Sequence, residues 1–341
     1  MNNDEPGKLA MNSRPRPSSP EVSIVIACHN ARLWIAETLQ STRRPYPWPV
    51  ELIVVDDGST DGSGEIIARD FPEARLVRTA NHGCSAARRH GTELATGHFL
   101  KYLDADDLLV GDLMVRQVEL AERTGAEVVY GNWQRLTQRE GRWQPGERVE
   151  RTWQSVNSDV EIAFFTAMWC PTAAYLWRVD FLNTRHPGWH PNLPVIQDAR
   201  FALDAALAGA RFAHDAEVGV HYRVHQSGSV ATSNPLKFAR DCWTNALEIR
   251  DHWTKADTLH GARRAALLDV LEYIAFDVYP RDRALAREVV RSAKAVDPTW
   301  QPTGSRWRRL LGGALGFEAV ARLRTGLDQG RRILRRVSTA A

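Results

Sequence analysis

The chain is poor in cysteine: Cys28, Cys84, Cys170 and Cys242 are spread over 341 residues with no Cys-x-x-Cys pair. That spacing excludes a zinc ribbon and a disulfide framework, and leaves reduced thiols as the expectation. Long apolar runs are also missing, since no stretch approaches the ~20 uninterrupted apolar residues of a membrane span. The opening stretch MNNDEPGKLAMNSRPRPSSP has no apolar signal core. It is polar and rich in Pro and Ser, so a disordered lead-in is expected over residues 1–20. Neither sign of charge dominates: 44 basic residues face 41 acidic ones, for a net charge of +3. That balance marks no nucleic-acid partner. There is no internal repeat, and no Gly-rich, Lys/Arg-bearing loop follows the first predicted strand. What remains is 43% hydrophobic and 25% charged residues, enough for one large or two modest domains with a real core.

Alternation of short apolar runs with helical spacing begins at residue 22. Val22 to Ile26 reads as a buried strand, and Ile35 and Leu39 then share one helical face. Leu52 to Val55 is a second strand, running into a loop rich in Asp, Gly and Ser, with a helix near Gly64. ARLVRTANHG holds a third strand and SAARRHGTELATG a helix; HFLKYLDADD holds a fourth strand. Such alternation with short loops predicts a doubly wound, mostly parallel α/β sheet with its functional loops at the carboxyl ends of the strands. After Gly111 a helix leads into a hairpin turning at Glu140-Gly141. Residues 159–209 mix helix with Pro-rich loop. From Asn234 to about Ala295 the chain is helical, with Leu267, Leu271, Ile274 and Val278 as one apolar stripe.

Three carboxylates crowd into KYLDADDLLV, residues 101–110. Asp104, Asp106 and Asp107 repel one another unless a cation sits among them. Asp104 and Asp106 are two residues apart in an extended segment, so both can face one side and hold Mg²⁺ or Mn²⁺. An Asp-rich helix cap is the other reading. Asp56-Asp57-Gly58-Ser59 follows a strand and can either hydrogen-bond a ribose or base or serve as ordinary turn chemistry. His225 is either a metal ligand or a structural histidine, and Arg223 a phosphate clamp. Asp198 in PVIQDARF reads alone as a helix N-cap.

Together these stretches resemble glycosyltransferase family 2, the inverting GT-A-fold family that includes bacterial exopolysaccharide and lipopolysaccharide sugar transferases. VSIVIACHN is similar to the family's opening, ELIVVDDGSTDGS to its most recognisable stretch, and NHGCSAARRHG to its Asn-x-Gly-x-Ser-x-Ala-Arg-Asn-x-Gly segment. KYLDADD resembles the Asp-x-Asp metal motif, QDARF the acidic pair, and YRVHQSGS the Tyr-Arg-x-His-x-x-Ser-x-Ser ending. The resemblance runs from about Val22 to Ser229. Departures fall at Ala27-Cys28-His29, where the family has Pro-Thr-Tyr, at Arg89 for Asn, and at Gln197 for Glu.

The resemblance implies a GT-A domain over 21–230, with a nucleotide-sugar half (21–110) and an acceptor half (111–230), followed by a helical extension (231–303). It implies Mn²⁺ or Mg²⁺ held by Asp104, Asp106 and His225. A nucleoside diphosphate sugar, UDP-linked, would lie against Ala27, His29, Asn30, Asp56, Asp57, Gly83, Arg88, Lys101, Asp104, Ala105 and Arg223. Asp198 would be the general base toward a hydroxyl of a glycan or lipid-linked acceptor. A non-catalytic nucleotide-sugar or glycan-binding module is the alternative of another class. Trp133, Trp143, Trp153, Trp169 and Trp189 are either sugar-stacking platforms or core anchors.

The last segment, 304–341, carries nine arginines against Glu318 and Asp328. Trp307, Leu310, Leu311, Ala314 and Leu315 fall at helical spacing. This basic amphipathic tail either lies on an anionic membrane surface or packs on protein. The expected location is cytoplasmic, peripheral at the inner face of the membrane under the first reading.

Overall fold

The computed structural model describes residues 20–139, 141–225, 230–302 and 316–322. The first half comprises β1 (Val22–Cys28), α1 (Ile35–Thr42), β2 (Val50–Asp57), α2 (Ser63–Asp70), β3 (Arg75–Thr79), α3 (Cys84–Leu94) and β4 (Phe99–Asp104). The second half continues with β5 (Leu108–Leu109), α4 (Leu113–Thr124), β6 (Val128–Arg139), β7 (Arg142–Val149), α5 (Trp153–Val156) and α6 (Val160–Thr166). A 3-10 turn at Thr172–Ala174 leads into β8 (Tyr175–Arg178), α7 (Val179–Thr184), α8 (Gln197–Leu207) and β9 (Phe212–Val224). The extension holds α9 (Val230–Ser233), α10 (Pro235–Lys255), α11 (Gly261–Val278) and α12 (Arg283–Val296). The expected lead-in up to residue 19, Glu140 of the hairpin turn, residues 226–229, and 303–315 and 323–341 of the tail region lie outside the described residues.

One sheet runs through both halves in the order β3-β2-β1-β4-β8-β6-β9-β5, with β7 paired to β6. The first four strands are parallel, as the βα alternation predicts. Beyond β4 the sheet is mixed: β8 is antiparallel to both β4 and β6, while β6 and β9 are parallel. The sequence pattern misses β9, because FAHDAEVGVHYRV breaks its alternation with charged residues and Gly219.

Strand order reverses at β1, which lies between β2 and β4. In such sheets the crevice at the carboxyl ends of these strands is the ligand position. Register brings the ends level: Ala27 pairs with Val55 and Asp104, and Cys28 with Asp56. The strands themselves are anchored by burial, with Val22, Ile24 to Ile26 and Ile53 to Val55 wholly inaccessible. α3 lies tight on β1 because residue 91 is glycine; a Cβ there would sit 2.3 Å from Val25 Cγ1.

The helical extension is fastened to the second half by polar contacts as well as apolar packing. Trp253 of α10 is buried and donates its indole N–H to Glu161 of α6 at 2.6 Å. Arg263 of α11 pairs with Asp159 and Glu161, both at 2.9 Å. Part of the basic tail also packs on protein. Residues 316–322 are helical, and Phe317 meets Phe276 and Tyr279 of the α11 region at 4.9 and 5.9 Å. Among the described residues no helix is long and apolar enough to cross a membrane.

Candidate active site

A cleft of about 1140 Å³ opens at the carboxyl ends of β1, β2 and β4 and continues to α8 and α10. Ala27, His29, Asn30, Asp57, Gly83, Arg88, Asp104, Ala105, Asp106, Asp198 and His225 all line it. The sequence resemblance named each of them.

The nucleotide side is stitched together through the backbone. Asp57 is buried and its two carboxylate oxygens accept the N–H groups of His82 and Gly83, at 2.9 and 2.8 Å. Its carboxylate thus shapes the loop before α3 while still facing the cleft. The Asn30 Oδ1 accepts the Thr60 N–H at 2.9 Å, and the Asn30 N–H donates to Ser59 Oγ at 3.0 Å. Asn30 has φ 51°, a left-handed conformation that Asn tolerates better than most residues. His29 Nδ1 lies 2.9 Å from the Asp57 carbonyl oxygen, and Asn81 reaches the same ring.

The acidic cluster has two different poles. Asp104 is ion-paired with Arg88 and accepts from Thr172 Oγ1 at 3.0 Å. Asp106 faces His225, whose Nε2 lies 2.7 Å from Oδ2. Asp107 is buried and accepts the Arg223 N–H at 2.9 Å, leaving Oδ2 without a partner. Burial first, then the charges of Asp106 and Asp104, push its carboxyl well above the usual range. Among the described residues no three His, Cys, Asp or Glu side chains converge as a metal cluster. Asp106 and His225 nevertheless offer one oxygen and one nitrogen in contact, next to the carboxylates of Asp104 and Asp107. That set suits a divalent ion that takes its remaining ligands from phosphate oxygens and water.

Arg88 is 5% exposed, stacks over Trp189 at 4.7 Å, and has an Nη1 with no hydrogen-bond partner. Burial is the largest influence and opposes its charge, but the charge and hydrogen bond of Asp104, with Cys84 and Asp198, together raise its pKa. A buried guanidinium with an unused N–H group on a cleft wall is suited to an anionic ligand.

On the other side, Asp198 lies in the first turn of α8, half-buried. Its Oδ2 accepts the Trp169 indole N–H at 2.7 Å and Oδ1 the Ala199 N–H at 2.9 Å. Burial raises its carboxyl above the ordinary 3.8; the two hydrogen bonds and Arg88 act in the opposite sense. The loop leading to α8 is set by the extension, where buried Asp241 of α10 accepts the Val195 N–H at 2.8 Å. Arg200 of α8 reaches Asn245 at 3.1 Å and also pairs with Glu248 of α10. Gln197 accepts from Ser85 Oγ at 2.5 Å, so the residue that departs from the acidic pair ties α8 to the start of α3.

Three expected nucleotide-sugar residues sit off the cleft wall. Lys101 is fully buried on β4, with Nζ bonded to Gln117 Oε1 at 2.5 Å and the Ala173 carbonyl at 2.9 Å. Strand alternation turns it to the far side of the sheet from the ligand end, and burial pushes it down to about 7. Asp56 is buried and caps its own loop, accepting the Ser59 N–H at 3.0 Å. Arg223 is 2% exposed; its two terminal nitrogens are taken by Glu37 and by the Asp106 carbonyl at 2.7 Å, and its Nε is buried without a partner. It orders the acidic loop and is not a free phosphate clamp.

Of the five tryptophans, only Trp169 lines the cleft. Trp133 and Trp189 are core residues, and Trp143 packs edge-on against Trp34 and His225 at 5.6 Å each. Sequence reasoning did not single out Trp34 or the α10 residues Phe238, Cys242 and Asn245 as part of the cleft, nor Thr172, which donates to Asp104. An aromatic in the connecting segment MWCP was the one available sign on the acceptor side.

Residues 23–178 match the family model described as Glycosyl transferase family 2. An uncharacterized glycosyltransferase of Bacillus subtilis, EpsJ, is 30% identical over 194 residues, covering 54% of this chain and 54% of that protein. The chain spans about half the length of the curated relatives it matches. Among solved structures, S. aureus TarS 1-349 in complex with UDP-GlcNAc superposes with a TM-score of 0.61 at 18% identity, covering 91% of this chain and 92% of that one. The mannosyltransferase PcManGT of Pyrobaculum calidifontis, in complex with GDP-Man and Mn²⁺, superposes with a TM-score of 0.52 at 18% identity, covering 93% and 90%. At that identity the likeness establishes the GT-A fold. By sequence match, residues 23–178 belong to glycosyltransferase family 2.

Proposed function

We propose that this chain is a metal-dependent inverting glycosyltransferase. It moves a sugar from a UDP-linked donor to a hydroxyl of a glycan or lipid-linked acceptor, in the synthesis of a cell-surface polysaccharide. The observation that carries this reading is the convergence on one cleft of three elements: Asp106 against His225, the unpartnered Nη1 of buried Arg88, and the desolvated carboxyl of Asp198. The nucleotide would lie along Asp57, His29 and Asn30, with Arg88 donating its free N–H group to a phosphate oxygen.

Asp106 and His225, beside Asp104, would hold Mn²⁺ or Mg²⁺, which when bound neutralises charge on the leaving diphosphate. Asp198 takes the proton of the acceptor hydroxyl as that oxygen bonds to the anomeric carbon. The bond from that carbon to the diphosphate oxygen breaks in the same displacement, so the centre inverts. Desolvation suits this role, since a carboxylate with a raised pKa is the stronger base. No enzyme nucleophile is required. Cys84, the cleft thiol near Arg88, is pushed by burial up to about 11 and is poorly suited to act as one.

The test is release of nucleoside diphosphate from a panel of UDP- and GDP-sugars by the purified chain. At least one UDP-sugar should turn over, with activity lost in EDTA and restored by Mn²⁺. Full turnover in EDTA would remove the metal assignment. Donor binding with no turnover under any acceptor would make the chain a non-catalytic nucleotide-sugar-binding module.

A further inference from the structure

Trp169 stands in the segment between α6 and the 3-10 turn, and its ring is fixed from two sides. It meets Trp133 edge-on at 5.3 Å and 89°, and Tyr222 at 5.7 Å and 79°. Trp133 belongs to β6 and Tyr222 to β9, which are parallel neighbours in the sheet. The indole is therefore braced by the rigid sheet, and its N–H points to Asp198 Oδ2 at 2.7 Å. The Ala199 N–H holds the other oxygen at 2.9 Å. A carboxylate has about four acceptor positions, so two such bonds fix its plane and leave lone pairs for an incoming proton.

We infer that Trp169 is a positioning residue for the base: its indole N–H holds the Asp198 carboxylate in one orientation and favours the charged form in a desolvated site. The inference rests on the assignment of Asp198 as base made above. Hydrogen bonds to a charged group stabilise that form, and burial opposes it. Trp169 thus favours the ionised form that burial opposes.

Two measurements test this, one of them without substrate. In a ¹⁵N–¹H spectrum of the full chain, one of the twelve tryptophan indole signals should titrate with the Asp198 carboxyl. It should be the signal missing in Trp169→Phe, and it should stop moving in Asp198→Asn. In the activity assay with UDP-glucose and UDP-GlcNAc, Trp169→Phe should move the acidic limb of the kcat profile up by about one to two pH units. Donor KM should stay unchanged, and kcat should recover toward alkaline pH. If no indole signal lost its titration in Asp198→Asn, the inference would be overturned whether or not Trp169→Phe folded. So would a rate lowered by one factor at every pH, which marks a merely structural role. If the wild-type chain turned over neither sugar, that would count against glycosyl transfer from these donors, while the indole titration would still decide whether Trp169 holds the carboxylate.

Discussion

The two walls of the cleft are built from opposite materials. The nucleotide wall comes from consecutive strand ends, and its side chains bond to backbone only a few tens of residues away, as Asp57 does to His82 and Gly83. The acceptor wall gathers Trp169, Asp198 and Phe238 from three separate elements. Its proposed base, Asp198, is steadied by an indole from one segment and, through Val195, by a carboxylate from α10. A local wall can be written as a short motif; an assembled wall cannot.

The largest expected effect is on the nucleotide side. Asp106→Ala removes a carboxylate and leaves His225 without its 2.7 Å partner. Nucleoside diphosphate release should fall by about 10³-fold or more, with weaker Mn²⁺ activation. A variant with wild-type metal dependence would shift the cation site away from Asp106.

Asp198→Asn breaks the other wall. Asn is nearly isosteric and can still accept from Trp169, so the fold and the donor site should persist. The proton acceptor is gone, and kcat should fall ~10²–10⁴-fold with donor KM nearly constant. Loss of donor binding without a selective loss of kcat would erase the division between the walls.

The smallest effect on turnover should come from Lys101, which lies behind both walls. Burial depresses it from the ordinary 10.5 to about 7. Between those values the unfolded chain binds the proton and the folded chain does not, so this residue makes stability rise with pH across that window. Lys101→Met removes the dependence. The stability of wild type minus variant, from urea unfolding at about pH 7 and about pH 9, should therefore grow toward the alkaline end, by at most ~1.4 kcal/mol per pH unit. A flat difference would mean that Lys101 is charged in the fold. Donor KM should not move.

This contrast also explains what could be read from the sequence. The parallel strands and the DDGSTD and Asp-x-Asp loops were legible because βα alternation and strand-end chemistry are local properties. Lys101, Asp56 and Arg223 were misplaced because a motif names residue types but not which face of a strand each side chain takes. Arg223 has a charge that fits phosphate, yet Glu37, from a distant helix, already claims it. The α10 contribution was invisible, since nothing in PLKFARDCWTNALEIR differs from any amphipathic helix. Trp169 was noticed only as one of five tryptophans. Its role depends on the register of β6 against β9, which no short window reports.

The grip of Asp241 on the Val195 N–H has a consequence for how such chains can be recombined. The family match ends at residue 178, but the proposed base and the helix that seats it lie beyond that point. A chimera joined at the match boundary would import a foreign base together with its own foreign seat, so the pair would travel as a cassette. A junction placed between α8 and α10 would separate them and leave Asp241 and the Val195 amide facing partners for which they were never matched. Exchanging these segments between relatives is therefore a question of where the seam runs: the match boundary itself would part Trp169 from Asp198, so the seam belongs before α6, which keeps Trp169, Asp198 and α10 on one side.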